Sequence, residues 1–368
     1  MYKYNEIKTV HLEVSSKCNA ACPMCLRTVC GGPINEQLPL KEMSLDDIKK
    51  IFSPAFLKQL NRIYLCGNYG DPATSKDLVN IFKYYKDHNP ELRIDLFTNG
   101  SIRNTKFWYE IGKLTHSVNF SIDGLSDTNH VYRRNTNFEK IMDNCASYMM
   151  GGGKAIWDYI VFKHNEHQVE EASKLSQRMG FHKFVIKKTG RFFSNTKSTG
   201  KDEQVVYDKN QNLEYYLQKP LAEKYQNKSL EKEQSLVKKY GSLINYLDKT
   251  PISCRVDKEK SVYISASGNV FPCCWTANQL YPWYFKPKGS PIWNLIDKAG
   301  GLNSLNAYNH SLESIINGTF FQETLPNSWS CSSIKDGKLK ACAKTCGQEF
   351  NPFQSQFERS EISNSPSS

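Results

Sequence analysis

Three cysteines spaced Cys18-x3-Cys22-x2-Cys25, in the run Cys18-Asn19-Ala20-Ala21-Cys22-Pro23-Met24-Cys25, constrain this chain more than any other feature of it. They follow an alternating apolar stretch, Val10, Leu12 and Val14, that reads as a first strand. Three thiolates on one short loop suit three irons of a 4Fe–4S cluster and leave the fourth iron without a protein ligand. An open metal position is where a substrate or cosubstrate binds, whereas a fully protein-ligated centre is structural or electron-carrying. The alternatives are a zinc knuckle and a loop of ordinary cysteines. Zinc sites supply two CxxC pairs or Cys/His mixtures, and the nearest further cysteine, Cys30, sits in a Gly/Pro-rich stretch.

The rest of the chain fits a cytoplasmic enzyme. No apolar run approaches the roughly 20 residues of a membrane span, and Met1-Tyr2-Lys3-Tyr4-Asn5-Glu6 has no apolar signal-peptide core. Twelve cysteines without an export signal point to metal ligation rather than disulfides. The net charge of +11 hints at an anionic partner, a nucleotide, a sugar phosphate or nucleic acid. Much of that excess comes from lysines scattered through 183–260, which read as surface solvation.

Strand-like and helix-like stretches alternate. Ser44-Leu45-Asp46-Asp47 is a capping box opening a helix through Ile48, Ile51 and Phe52. Buried strands are expected at Ile63–Cys66, Ile94–Phe97, Val118–Ile122, Trp157–Phe162 and Phe184–Ile186. Between them, Leu78/Ile81/Phe82/Tyr85, residues 105–114, Phe138/Ile141/Met142/Cys145/Met149 and Val169/Ala172/Leu175/Met179 recur at helical spacing. This order implies parallel pairing with right-handed crossovers. Periodicity alone leaves a barrel and a doubly wound sheet equally open.

The cysteine triplet after a first strand resembles the radical S-adenosylmethionine (SAM) enzymes. That resemblance implies an α/β fold, a partial (β/α)6 TIM-like barrel over 1–190, with SAM chelated at the open iron. It also implies cleavage of SAM to a 5′-deoxyadenosyl radical, fed by a flavodoxin- or ferredoxin-type electron donor. The ends of the expected strands carry motifs similar to the family's. Gly67-Asn68-Tyr69-Gly70-Asp71-Pro72 resembles the Gly-Gly-Glu-Pro that holds the SAM amino group, with Asp71 in place of Glu. Thr98-Asn99-Gly100 ends the third strand. Ser121-Ile122-Asp123-Gly124 ends the fourth, and its Ser121 and Asp123 suit ribose hydroxyls. Tyr132-Arg133-Arg134 matches a family Tyr-Arg that pairs with the SAM carboxylate, either arginine serving. The fifth strand ends near His164-Asn165-Glu166-His167, with Asn165 placed for the methionine end of SAM.

The second cysteine set, Cys254-x13-Gly268-x4-Cys273, resembles the opening of the SPASM and twitch auxiliary-cluster domains. Val262, Ile264 and Ala266 alternate up to Ser267-Gly268-Asn269, a hairpin that brings the two thiolates together. Cys342-x3-Cys346 follows, without the C-x2-C of a full SPASM domain. A twitch/SPASM-like domain over 250–350 is therefore expected to hold one auxiliary 4Fe–4S cluster on Cys254, Cys273, Cys342 and Cys346, with Cys274 and Cys331 in reserve. A structural zinc on the same four thiolates is the alternative. Cys145 and Cys66 read as core residues. Residues 191–249 are expected to be a Lys-rich linker with one or two helices, and 351–368 a disordered tail. With about ten residues before the first strand, no winged-helix leader-peptide-binding domain is expected there.

The function implied is hydrogen-atom abstraction from a substrate, then oxidation or bond formation assisted by the auxiliary cluster. A small, anionic molecule is favoured as substrate, with a peptide side chain as runner-up. A non-catalytic Fe–S or zinc protein binding nucleic acid is the rival from another class.

Overall fold

A computed structural model describes residues 1–194, 202–350 and 360–363. Six strands, β1 (Thr9–Leu12), β2 (Arg62–Leu65), β3 (Arg93–Thr98), β4 (Ser117–Ser121), β5 (Lys154–Ile160) and β6 (Lys183–Lys187), pair in sequence order and in parallel. Registers run Thr9↔Arg62, Arg62↔Arg93, Asp95↔Ser117, Ser117↔Lys154 and Ile156↔Lys183. Parallel neighbours need crossovers long enough to return the chain, and helices Leu45–Ile51, Leu78–His88, Thr105–Leu114, Phe138–Met150 and Val169–Arg178 supply them. This is the partial TIM-like barrel. The Ser44–Asp47 capping box forms as the sequence implies, a device worth about 1 kcal/mol. The fifth strand starts three residues before the expected Trp157 and ends two short of Phe162, because Lys154–Ile156 complete its pairing with β4 and β6.

One face of the sheet meets the helices. Val10, Leu12, Ile63, Leu96, Val118, Phe120 and Trp157 pack there against Ile48, Ile81, Trp108, Ile111, Ile141 and Tyr148. Cys145 lies in this core, fully buried. The alternate strand positions His11, Tyr64, Asp95, Asn119, Asp158 and Lys187 face the other side, so the concave face is polar.

Within 191–249 the described residues include a two-stranded antiparallel hairpin, β7 (Glu203–Tyr207) and β8 (Leu213–Gln218), where a linker with helices was expected. Helices Ser229–Tyr240 and Leu243–Lys249 follow, parted at Gly241, whose φ of +80° breaks the helical run. Strands β9 (Ser261–Ile264) and β10 (Val270–Phe271) form the expected C-terminal hairpin. β9 also pairs in parallel with β1, Thr9↔Ser261, so the hairpin continues the barrel sheet. The tail expected at 351–368 falls mostly on 351–359 and 364–368, outside the described residues. Within it, β11 (Ser360–Ser363) pairs antiparallel with β6. No helix among the described residues is long and apolar enough to cross a membrane.

Candidate active site

The cysteine loop leaves β1 at the C-terminal edge of the sheet, the edge where parallel barrels carry their chemistry. Cys25 N–H donates to Cys22 C=O (3.0 Å) and Thr28 N–H to Cys25 C=O (3.2 Å), turning the loop back on itself. Ala21 N–H donates to Arg134 C=O (3.1 Å), Arg191 Nη1 to Met24 C=O (2.7 Å), and the Arg27 guanidinium to Ala20 C=O. Cys22 is buried, and Cys18 and Cys25 are half-buried. Asn99 Nδ2 lies 3.6 Å from Cys18 Sγ and Arg133 Nη1 lies 3.7 Å from Cys22 Sγ. Burial pushes both thiols up, opposed by Arg27 at Cys18 and by Arg133 at Cys22. Thiolates in such a place are stable against nearby positive charge, which bound metal supplies while the thiol protons leave.

The Gly67–Gly70 turn presses onto the chain beyond β1. A Cβ at Gly67 would sit 1.8 Å from Gly70 O, and one at Gly70 would sit 1.9 Å from Ser15 O, so neither position tolerates a side chain. Glu13 anchors this turn: its Oε1 accepts from Tyr69 N–H (2.8 Å) and Gly70 N–H (3.0 Å), and its Oε2 from Tyr263 Oη (2.6 Å). Asp71 is buried, and its carboxylate accepts from Ala73 N–H (2.9 Å), Thr98 Oγ1 (2.9 Å) and Asn99 N–H (2.8 Å). Those bonds tie the ends of β2 and β3 together and aim Asn99 at Cys18.

Asp123 is fully buried. Its Oδ2 pairs with Arg133 Nε at 2.5 Å, and its Oδ1 accepts from Ile160 N–H at 2.5 Å. Burial works against the Arg133 charge, but Asp123 and the Cys22 sulfur hold that guanidinium above its usual value. The two arginines part company. Arg134 donates to Gly31 C=O (3.1 Å) and Tyr207 C=O (2.7 Å) and pairs with Glu214, so it fastens the β7–β8 hairpin to the cysteine loop. Asn165 is fully buried; its Nδ2 donates to Asp123 C=O (2.8 Å) and Ile160 C=O (3.0 Å), and its Oδ1 accepts from Phe162 N–H (2.7 Å). It shapes the loop after β5. Ser121 closes β4, half-buried. His164 stacks on Phe162 (5.5 Å) and is held to about 4 by burial.

Cys254, Cys273, Cys342 and Cys346 all line one pocket, walled by Trp275 and Trp329, and Cys274 and Cys331 lie outside that lining. The Cys254 thiol faces the Cys346 sulfur, and its proton, directed there, draws the Cys346 thiol's ionisation down. Among the described residues no three His, Cys, Asp or Glu side chains converge as a single metal ion requires. A 4Fe–4S cluster takes one thiolate at each iron, and four cysteines spread around one pocket match that donor set.

Residues 12–175 match the model of the Radical SAM superfamily. The chain carries a radical SAM domain. No curated protein matches the sequence. Among solved structures, Streptococcus suis SuiB bound to S-adenosylmethionine is 13% identical, with 92% of this chain and 73% of that chain covered at a TM-score of 0.53. SuiB bound to its precursor peptide SuiA is 12% identical, with 95% and 76% covered at 0.54. The anSMEcpe enzyme with bound AdoMet and the Kp18Cys peptide is 12% identical, with 95% and 92% covered at 0.50. At these identities the likeness is one of fold.

Around this radical SAM domain, sequence reading missed three features. Glu13 was legible only as an acid interrupting an apolar strand. The β7–β8 hairpin lays Val206 and Leu217 against Ala20, Cys22, Met24, Tyr132 and Phe162, sealing the cysteine loop. Its signal was two runs rich in β-branched and aromatic residues, Val205-Val206-Tyr207 and Tyr215-Tyr216-Leu217, split by a polar turn. Third, on the concave face Asn119 Nδ2 (3.1 Å) and the Lys187 ammonium both donate to Asp158 Oδ2, while Asp158 Oδ1 is buried with no partner. Cys66 stands by them, its thiol pushed up to about 11 by burial.

Proposed function

We propose that the chain reductively cleaves SAM to a 5′-deoxyadenosyl radical that abstracts a substrate hydrogen atom, in an oxidation or bond-forming step served by one auxiliary 4Fe–4S cluster. One observation carries the reading: Cys18, Cys22 and Cys25 stand beyond β1 with Asn99 and Arg133 directed at two of their sulfurs. A 4Fe–4S cluster held there supplies the electron and the open iron. The chain's own residues do the rest. Arg133, braced by Asp123, brings positive charge to the cysteine loop and a guanidinium suited to the SAM carboxylate. The Gly67–Gly70 turn, braced by Glu13, offers backbone groups to the SAM amine. Asp71, committed to Ala73, Thr98 and Asn99, positions that turn. The hairpin excludes water from the loop.

Cys254, Cys273, Cys342 and Cys346 are the ligands of the auxiliary cluster in this reading. The Asp158 oxygen without a partner and the Lys187 ammonium beside it support a small polar substrate that brings both a hydrogen-bond donor and an acceptor or anionic group. A peptide is the runner-up, and the assay admits both.

Anaerobic incubation with SAM and a one-electron reductant such as dithionite is expected to yield 5′-deoxyadenosine, with about eight irons per chain. The absence of 5′-deoxyadenosine from protein carrying full iron and sulfide would overturn the catalytic assignment. Zinc without sulfide at the C-terminal cysteines would overturn the auxiliary cluster.

A further inference from the structure

Three of the four cysteine sulfurs in the C-terminal pocket have amide donors. Asp257 N–H points at Cys254, Trp275 and Thr276 N–H at Cys273, and Arg255 N–H at Cys346. The hydroxyl of Thr276 adds a contact to Cys273 at 3.7 Å, and that of Thr345 lies 4.0 Å from Cys346. Cys342, the buried member of the set, has the Trp329 indole beside it instead. Trp329 lines the same pocket, and its buried indole N–H makes no hydrogen bond of good geometry, the Cys342 sulfur being the acceptor it lies toward. A buried donor left without a well-made bond calls for an explanation, and a thiol is a poor acceptor for it. A cluster-bound thiolate or bridging sulfide is anionic and a far better one.

We propose that the Trp329 indole N–H is the hydrogen-bond donor to the auxiliary cluster on its Cys342 side, and that it raises the cluster's reduction potential. This rests on the auxiliary-cluster reading. Hydrogen bonds to cluster sulfurs stabilise the reduced, more negative state and so move the potential up. Trp329 is a positioning and tuning residue, since it holds no iron.

The test uses the full chain with Cys18, Cys22 and Cys25 all replaced by Ala, so that only the auxiliary cluster is read, by redox titration followed by electron paramagnetic resonance. Trp329→Phe in that background is expected to keep about four irons and to titrate at a lower potential than its parent. Trp329→His, which restores a ring N–H, is expected to recover part of the shift. An unchanged potential in Trp329→Phe overturns the proposal. So does loss of the cluster in both variants, which would make the indole a packing wall. Loss in Trp329→Phe with recovery in Trp329→His supports it. If the parent itself holds no iron and sulfide, the auxiliary-cluster reading has failed, and that outcome is told apart before either variant is made.

Discussion

Replacing Asp123 with Ala separates two roles that its sequence position leaves mixed. Were Asp123 a ribose ligand, its loss would weaken SAM binding and leave the free protein nearly as stable as before. In the structure both oxygens are committed, Oδ2 to Arg133 Nε and Oδ1 to Ile160 N–H, each at 2.5 Å and with no solvent exposure of the aspartate. Truncation strands the Arg133 charge in a buried site, which costs about 3–5 kcal/mol. It also leaves the Ile160 amide unpaired, for about 1–3 kcal/mol more. The expected loss is thus about 4–8 kcal/mol, a large part of the 5–15 kcal/mol that holds a typical domain. Asp123→Asn keeps an acceptor for Ile160 and forfeits mainly the first amount. Urea denaturation followed by far-ultraviolet circular dichroism measures both. The decisive comparison adds Arg133→Met to Asp123→Ala: removing the stranded charge is expected to return most of the first amount, so the double variant is more stable than Asp123→Ala alone. A loss below about 1 kcal/mol, or a double variant less stable than the single, refutes the brace. SAM titration completes the cycle, since an aspartate acting through Arg133 weakens binding no further once Arg133 is gone.

Replacing Cys18, Cys22 and Cys25 together by Ala is expected to abolish reductant-dependent 5′-deoxyadenosine formation and to remove about four irons per chain, as read by product chromatography and iron assay. Arg134→Ala is expected to raise hydrogen exchange across the β7–β8 hairpin while leaving Arg133-dependent SAM binding within a few-fold of the parent. His11, buried on the concave face with Nε2 2.5 Å from Cys66 O, is held to about 4 by burial. The unfolded chain takes up this proton near pH 6.5, so the neutral imidazole's stability is fully present above 6.5 and is lost as pH falls towards 4. At about 1.4 kcal/mol per pH unit the loss is about 3 kcal/mol. His11→Phe should flatten stability over that window, and an unchanged slope would count against the burial.

What was legible in the sequence follows from where each signal is local. Six parallel strands and their helices could be read because each buries one apolar face, and the Ser44–Asp47 box marks its helix in four residues. The fifth strand slipped because Lys154 and Ala155 carry no strong apolar signal and are fixed only by neighbours on both sides. The hairpin at 203–218 was hidden for a similar reason: β8 is mostly exposed, and its pairing with the cysteine loop is made by Arg134 and by Tyr207 N–H to Cys30 C=O (3.0 Å). Motifs gave residue types, and tertiary contacts gave their partners. Tyr132-Arg133-Arg134 could not say which guanidinium meets Cys22, because the answer depends on Asp123 just beyond β4 and on Glu214 in β8.

The parallel pairing of β9 with β1 also bears on how the two cysteine sets divide the work. Ser261, at the start of β9, lies level with Thr9, and Cys254 precedes it through the short helix Arg255–Glu259. β10 runs back antiparallel from Ile264 towards Tyr263, so Cys273 leaves the sheet at that same end. Cys18 leaves β1 at the other. The four residues of β1, Thr9–Leu12, at about 3.3 Å each, put roughly 13 Å of strand between the two ends. A centre held at Cys254 and Cys273 would therefore start from the opposite end of the ladder to Cys18, while the next residue, Cys274, reaches the Gly67–Gly70 turn, its C=O accepting from Asn68 Nδ2 at 3.4 Å. In the proposed reading, such a centre would take up an electron from the barrel interior rather than ligate SAM. Because β1 and β9 share one hydrogen-bonded ladder, the offset between the two starting ends is fixed by the sheet itself and does not depend on the docking of a loosely tethered domain.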